Sequence, residues 1–492
     1  MSQDPLVDIS EFRTDRLLRV AIDAPEHPTV RLISLAYVVA GLCHLWLADA
    51  WIAEWIPGNI AFILGLSLLL WRPCSLGFLL CALGKLLPLL FARDHLTQSV
   101  FLLLIAFGGA YFLGVRAYLA TWPGRLTKVT SSMGTTSPQV IGFLTLVQGV
   151  TIVTYGAAAF HKLNRDFFDP AYSCALYGLD KVFAHYDLLV PGFVGEFALG
   201  LAVLVVVAEA SIALLYLAGR RRLALVIALL FHLPLTLTVA PAFAFVMLVG
   251  HAAFFRPVDL ANWRDVLTRR WPVLVGGATL ITVASLVRGG LPFNDWTMAP
   301  REWALWLLLL TALLVGPSSP KPKQAPIDGS ARGDRLVAIA VVLLFALHCL
   351  SPYLGARFHH TAAMVSNLRI DQGCWNHLIV SESLRIEDPY IRVDEVYFVR
   401  PGAMERYEAM ARDQLWNGTM IHQMQKNWCR ESLRPFYLAG TYRGRTFEIN
   451  DLCDEELDWP FADDGLLGRE IFKDHLLFQR NLPRQCPQTC IH

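Results

Sequence analysis

The sequence predicts an α-helical polytopic membrane bundle of about eleven spans, N-terminus in and C-terminus out, followed by a β-rich, mixed α+β extracytoplasmic domain. Three observations lead to that fold class. Of 492 residues, 55% are hydrophobic, 17% are charged and 14 are Trp, an excess of apolar surface that one soluble core does not use. The apolar residues gather into long runs as far as about residue 356. Beyond it the pattern changes to short alternating runs separated by turn residues.

The runs fall near 31–52, 59–71, 75–91, 98–118, 137–161, 193–218, 222–238, 241–255, 272–288, 302–317 and 335–354. A crossing takes roughly 17 to 25 residues, so the second and eighth are short enough to be hairpins that stop part-way. Residues 1–30 are polar, with Asp4, Asp8 and Glu11; they read as a cytoplasmic segment and not as a cleavable signal. Charge tests the count. Arg13, Arg16 and Arg19, Arg72, Arg116 with Arg125 and Lys128, Arg220 to Arg222, Arg256 to Arg270, and Lys321 to Arg335 all fall on one side if eleven spans alternate, which makes that side cytoplasmic. The domains are then 1–30, a transmembrane domain at 31–356 and an extracytoplasmic domain at 357–492. The last part holds 16 Lys and Arg against 20 Asp and Glu, so the basic excess behind the net charge of +1 belongs to the membrane part.

The outer domain is long enough to fold on its own. Strands are expected at Asn376–Val380, Tyr390–Val399 and Leu438–Ile449, with Gly440 and Gly444 as turn residues, and a helix at Pro401–Trp416. Five cysteines lie here, Cys374, Cys429, Cys453, Cys486 and Cys490. Four of them suit two disulfides of open connectivity, and Cys486 with Cys490 is one pairing, closing a small loop. Asp451 to Asp464 carries seven acidic residues and no base; it reads as a solvated loop, with Ca2+ or a basic peptide as alternatives. Asn417-Gly-Thr419 is a formal glycosylation sequon. The linker Pro317–Asp334 reads as an exposed cytoplasmic loop.

Two function classes find no support in the residues. No basic stripe with interleaved aromatics points to nucleic acid. No HExxH or CxxC occurs, and the adjacent His359-His360 suits a metal poorly, so no metal ligand is assigned.

Polar residues inside apolar runs are the candidates for chemistry, because an unpaired charge there is costly. Lys162 closes the run that begins near Val140, in Tyr155–Asp166, YGAAAFHKLNRD. It reads either as a snorkelling anchor or as a base whose neutral amine is kept by desolvation. His44, Lys85, Glu209, His232, His251 and His348 should face the bundle interior, with Asp49, Glu54 or Glu209 as a partner for Lys85. The amphipathic, aromatic stretch after Lys162 should lie in or re-enter the interface and roof a lipid-facing pocket.

The run AAAFHKLNRDFFDP resembles a segment of the vitamin K-dependent gamma-glutamyl carboxylases in which Lys-Lys-Leu-Asp is followed by Asp-Trp and an acidic residue. Lys162 falls on the second lysine, Asp166 and Asp169 on the later acidic positions, and Phe167 on the tryptophan. His161 stands for the first lysine and Asn164 for the first aspartate. Glu209-Ala-Ser-Ile-Ala-Leu-Leu resembles the family's acid-containing helix. Phe231-His232 and Phe243-Ala-Phe-Val-Met-Leu resemble its Phe-His pair and next helix, and AAMVSNLRIDQGCWNHLIV resembles its entry to the lumenal domain. The likeness covers roughly 30–255 and 351–400, and the wider group is the horizontally transferred transmembrane (HTTM) domain family.

The resemblance implies Lys162 as catalytic base, with His161, Glu209 and His232 in support. It implies Phe160, Asp166 and Phe167 at the cofactor and His377 on the substrate side. The implied cofactor is a reduced vitamin K or menaquinol-like hydroquinone, with O2 and CO2 as co-substrates. Hydroquinone oxidation to the epoxide would supply the strong base that removes a gamma proton from peptidyl glutamate before CO2 is captured. The implied partners are membrane lipids and a peptide or protein outside the cytoplasm. The setting is a multi-pass membrane protein of the plasma or inner membrane in a bacterium, or of the endoplasmic reticulum in a eukaryote. Two alternatives stay open: an HTTM-type quinol-oxidising enzyme without carboxylation, and a non-catalytic scaffold or peptide-maturation partner. The outer domain is shorter than that of the animal carboxylases.

Overall fold

The computed structural model describes residues 27–47, 56–91, 99–120, 137–185, 193–238, 241–260, 329–355, 361–386, 390–398, 404–416, 435–454 and 482–488. A few single positions lie beside them, among them 276, 388, 421, 428, 429, 457 and 490. Among the described residues, five helical stretches are long and apolar enough to cross a membrane: Pro28–Leu45, Ser99–Leu119, Pro138–His161, Ala198–Leu217 and Arg332–Leu354. They mark a membrane protein and coincide with five of the runs read from the sequence. Three shorter apolar helices, Pro57–Trp71, Ser75–Leu86 and Phe243–Ala252, coincide with three more. The runs at 272–288 and 302–317 lie outside the described residues, position 276 apart. The chain divides into two compact units, one of residues 1–153 and 211–345, the other of 154–210 and 346–492.

In the first unit α1 (Pro28–Leu47) packs on α2 (Ile56–Trp71), which packs on α3 (Ser75–Phe91). The last pair meets across glycine: a Cβ on Gly84 would strike the backbone of Gly58 and Phe62, and one on Gly65 the backbone of Cys81. Where both faces are apolar, such close approach supplies the dispersion contact that holds two short helices together. Tyr37 on α1 donates to the Leu102 carbonyl at 3.2 Å and sets its ring edge-on to Phe62 and Phe78. α4 (Ser99–Ala110) runs into a π-helical turn, Tyr111–Arg116, and a last turn α5 (Ala117–Ala120). The wide turn ends on Arg116, whose Nε meets Asp334 Oδ1 at 2.6 Å.

His44, Lys85, His232 and His251 are buried, as a charge or imidazole in an apolar run must be; His348 is half-buried. Lys85 sits with its amine 4.7 Å over the Phe62 ring. Of the carboxylates considered for it, Glu209 is engaged by Lys162 instead, and Asp49 and Glu54 lie outside the described residues. The helices Arg221–Thr238 and Pro241–Ala252 bring His232 and His251 together, and His251 Nδ1 lies 2.7 Å from the Tyr216 hydroxyl.

The second unit contains an antiparallel sheet in the order β4-β3-β1-β2-β5, built from β1 (Ile391–Phe398), β2 (Gln414–Trp416), β3 (Pro435–Tyr442), β4 (Arg445–Ile449) and β5 (Leu482–Pro483). Ile391, Val393 and Val396 point to the core with Trp416, Trp428, Leu438 and Ile449. The step from 393 to 396 breaks strict alternation because a register shift lies between Val393 and Glu395. Arg443 and Gly444, at φ 51° and 75°, form the two-residue turn between β3 and β4, the left-handed pair that suits right-twisted strands. Gly440 admits no side chain, since a Cβ there would strike the Arg392 carbonyl.

Four expectations for this region are corrected. Gly440 is no turn residue: it lies inside β3, opposite Val393 and Phe447. The helix expected to reach Trp416 (Met404–Asp413, α14 in chain order) stops at Asp413, because Gln414–Trp416 pairs with β1 and β5. Asn376–Val380 is no strand: one bridge joins His377 to Asn164, and the His377 ring claims the amides of Ile379 and Val380 that a ladder would need. Cys486 and Cys490 do not pair with each other. The bonds are Cys174–Cys490, Cys374–Cys486 and Cys429–Cys453. Gln488, between the two tail cysteines, is turned inward onto Arg369, so its flanking sulfurs find separate partners.

Candidate functional site

The site grows from the end of α6 (Pro138–His161), inside the second unit. Leu163 and Asn164 fold back in tight turns onto the carbonyls of Phe160 and Lys162. Asn164 then caps α7 (Arg165–Phe168), its Oδ1 accepting from the Phe167 amide at 2.9 Å. The Asn164 amide nitrogen donates to two carbonyls, His161 and Ser366. An aspartate there would turn a carboxylate toward both. Asn164→Asp is expected to cost about 2 kcal/mol of local stability, read by native-state hydrogen exchange at Arg165 to Phe168; unchanged protection would contradict this account of the cap.

Lys162 does not reach for headgroups. Only 4% of its side chain is exposed, and its Nζ donates to Glu209 Oε1 at 2.9 Å. Nζ also lies 2.9 Å from Glu209 Oε2, in electrostatic contact but outside hydrogen-bond alignment, so that oxygen accepts no hydrogen bond. The backbone of Ala158 takes a further, longer contact. Glu209 belongs to α10 (Ala198–Leu217), which follows α8 (Cys174–His185) and the single turn α9 (Phe193–Glu196). At 1.5 Å per residue it lies about 16 Å from the start of α10. The ion pair is therefore level with the middle of an apolar helix, where two charges persist only by facing each other.

Beside it, His161 is wholly buried between two oxygen partners. Nε2 lies 3.0 Å from the Thr361 carbonyl, which can only accept, so Nε2 carries the proton; Nδ1, 2.8 Å from the Tyr353 hydroxyl, accepts from it. His377 is held the same way. Its Nδ1 accepts from the amides of Ile379 and Val380 at 3.2 and 2.9 Å, and its Nε2 donates to the Phe160 carbonyl at 3.0 Å. The rings of Phe160, Tyr353 and His377 meet at centroid distances of 4.8 to 5.5 Å, with Trp375 against Tyr353 at 6.3 Å. Both imidazole lone pairs are thus occupied. In the Lys162–Glu209 pair, by contrast, Glu209 Oε2 accepts no hydrogen bond.

Burial holds the His377 imidazole below its ordinary value of 6.5, with the Phe160 carbonyl opposing. Protonation favours the unfolded chain, so this contribution is full above pH 6.5 and fades as pH falls from there toward the folded value. Protection of the Ile379 and Val380 amides, corrected for intrinsic exchange, is expected to drop over that window, and His377→Gln should flatten the drop. Asp166 has the opposite sense. Burial raises its carboxyl above 3.8, against the Asn376 side chain, Arg369 and the Gln488 backbone, so its contribution is full below 3.8 and lost as pH rises through the folded value.

Arg369 organises that polar knot. Fully buried, it forks onto both oxygens of Asp371 at 2.7 and 2.9 Å and donates to Gln488 Oε1 at 2.8 Å and to the Gln485 carbonyl. Asn376 accepts from the Arg369 amide and donates to the Asn367 carbonyl at 2.7 Å, with a longer contact to Asn164. The Cys174–Cys490 and Cys374–Cys486 bonds close around it.

The residues singled out by sequence therefore separate. Phe160, His161, Lys162, Glu209 and His377 come together. Asp166 faces the Arg369 knot with one oxygen, Oδ2, unmatched, and Phe167 is sealed in an apolar cluster with Cys174, Ala202 and Cys490. His232 lies in the first unit, next to Phe231, Phe243 and His251. Sequence reasoning missed Tyr353, Trp375 and Arg369. It also missed Cys174, although an odd cysteine count in the outer domain was a signal that a sixth lay elsewhere. No protein-family model matches this chain, and neither a curated protein nor a solved structure matches it.

Proposed function

We propose that the chain is an integral membrane enzyme of the vitamin K-dependent gamma-carboxylase type, coupling hydroquinone epoxidation by O2 to carboxylation of peptidyl glutamate outside the cytoplasm. The observation that carries this reading is the buried Lys162–Glu209 pair, with His161 next to Lys162 in the chain and bonded to Tyr353. An ion pair in an apolar bundle is weak evidence of stability and better evidence of proton chemistry.

A phenolic hydroquinone fits the donor set, because Glu209 Oε2 is buried and accepts no hydrogen bond. When bound, that group supplies the O2-driven oxidation from which a base strong enough for a glutamyl gamma proton arises. The chain's own part is proton handling. An ammonium cannot accept a fourth hydrogen, so Lys162 becomes a base only by first passing a proton to Glu209 Oε1, its hydrogen-bond partner at 2.9 Å. The two groups then act as one hydrogen-bonded unit that shares the proton. Phe160, Tyr353 and Trp375 form an aromatic cluster next to His161, an apolar neighbourhood of the kind a flat ring would need, and His161 and His377 hold it in place through bonds to backbone.

Alternation of the spans, which the eleven-span reading assumes, is supported by which ends meet. Arg31, entering the first span, donates to Leu69 and Leu70 at the end of the second. Thr29 donates to Phe255 at the end of the eighth, and Arg116, ending the fourth, pairs with Asp334 before the last. Each contact needs an even number of crossings between its residues, as alternation of eleven spans provides. The Cys174–Cys490 bond likewise needs an even number, and the sequence offers six.

The test is the full chain in lipid nanodiscs with reduced vitamin K or menaquinol, O2, labelled CO2 and a glutamate-rich peptide. Epoxide together with carboxylated peptide is expected, and both should be lost in Lys162→Ala. Epoxide alone would establish a quinol-oxidising enzyme instead, and neither product a scaffold. Unchanged turnover in Lys162→Ala would remove the proposed base.

A further inference from the structure

The loop after His377 exposes apolar side chains where a water-facing loop should carry polar ones. Leu378, Ile379, Leu384 and Ile386 are 54%, 67%, 56% and 77% exposed. They are not slack. Leu378 donates its amide to Leu163, the His377 ring holds the amides of Ile379 and Val380, Trp375 Nε1 donates to the Val380 carbonyl at 2.8 Å, and Ser381 caps the turn Glu382–Leu384. A loop fixed this firmly keeps its apolar groups outward wherever the surroundings are water, and that is unfavourable unless something apolar receives them.

The page shows what they are continuous with. The last turns of the span Arg332–Leu354 expose Leu347, Leu350 and Leu354, a stripe at helical spacing. The turn Ser351–Leu354 packs on the turn Glu382–Leu384, and the Ile386 amide donates to the Leu354 carbonyl at 3.1 Å. The lipid-facing stripe therefore runs straight into Leu384 and Ile386. Ser381 and Ser383, also exposed, lie between the two apolar pairs, and among the described residues the Arg385 guanidinium is turned back to Glu382 and Asp388, so the loop's charges pair with one another.

We propose that the loop Leu378–Ile386 is a membrane-inserted loop, seating Leu378, Ile379, Leu384 and Ile386 in the acyl region of the leaflet where the span ends. The outer domain is then bound to the bilayer through its own side chains as well as through the span. This rests on the chain being a membrane protein and is independent of the proposed chemistry.

The test places a fluorophore at the loop in the full chain in lipid nanodiscs. Cys43, the free cysteine that is not buried among the described residues, is first replaced by serine. Bimane is then attached to Ile379→Cys, to Ile386→Cys, or to Arg412→Cys as a water-facing control. Emission from 379 and 386 is expected to be quenched by nitroxide-labelled lipids and to lose quenching by aqueous iodide, with the reverse at 412. Iodide quenching at 379 and 386 equal to that at 412 overturns the proposal. Shielding from both quenchers also overturns it, since a second copy or another protein surface would then be the cover. Unaltered elution and intact disulfides in each variant show that the fold is retained.

Discussion

Lys162→Met is expected to destabilise the second unit by about 3–5 kcal/mol, because Glu209 is left as an uncompensated carboxylate in an apolar bundle. The loss should appear as lower native-state hydrogen-exchange protection from Ala158 to Phe167 and on α10 around Glu209. The double variant Lys162→Met with Glu209→Leu restores much of the protection, since a buried pair replaced whole by apolar groups is near neutral. It stays inactive in the hydroquinone assay. Folding and chemistry are separated by that difference: if the double variant remained as unstable as the single one, the pair would not be the electrostatic unit described.

Arg369→Leu should cost a similar amount, about 3–5 kcal/mol, for a different reason. Its guanidinium serves Asp371, Gln485 and Gln488 at once, and the buried side chains of Asp371 and Gln488 have no water to turn to. The tail 484–488 loses its innermost anchor and is left to the Cys374–Cys486 and Cys174–Cys490 bonds, to the Arg484 contacts with Val393, Asp394 and Asp413, and to the Asn367 bond with Gln488. Faster exchange of the Cys374 and Arg484 amides is the readout. Lysine at 369 rescues poorly, because an ammonium cannot reproduce the planar fork onto both Asp371 oxygens. Full rescue by lysine would mean that charge alone, and not the fork, matters there.

These two sites differ in how far the sequence revealed them. Lys162 and Glu209 stand out because each is a charge inside an apolar run, and the cost of an unpaired charge there makes a partner necessary; only which partner was open. Arg369 stood out in nothing. In a stretch already polar, an arginine carries no signal of burial, and its partners are scattered from 371 to 488. The spans were legible from their length, and β1, β3 and β4 from alternation. Asn376–Val380 alternates equally well, yet it is a loop, because a histidine side chain takes the amides that a strand would need. Periodicity reports which way side chains point, and it does not report who takes the backbone hydrogen bonds. Helix α14 stops short for the complementary reason: Gln414–Trp416 had helical spacing, and pairing with β1 outweighed it.

The bond between Cys174 and Cys490 spans 316 residues, and its first sulfur lies only twelve residues beyond Lys162. A ribosome that has delivered Cys174 must still add 316 residues before the partner exists. The segment that carries the amine is therefore set into its helix early and locked covalently only after Cys490 has been made. Its final geometry is a late event in biogenesis, conditional on every intervening segment having threaded to the correct side.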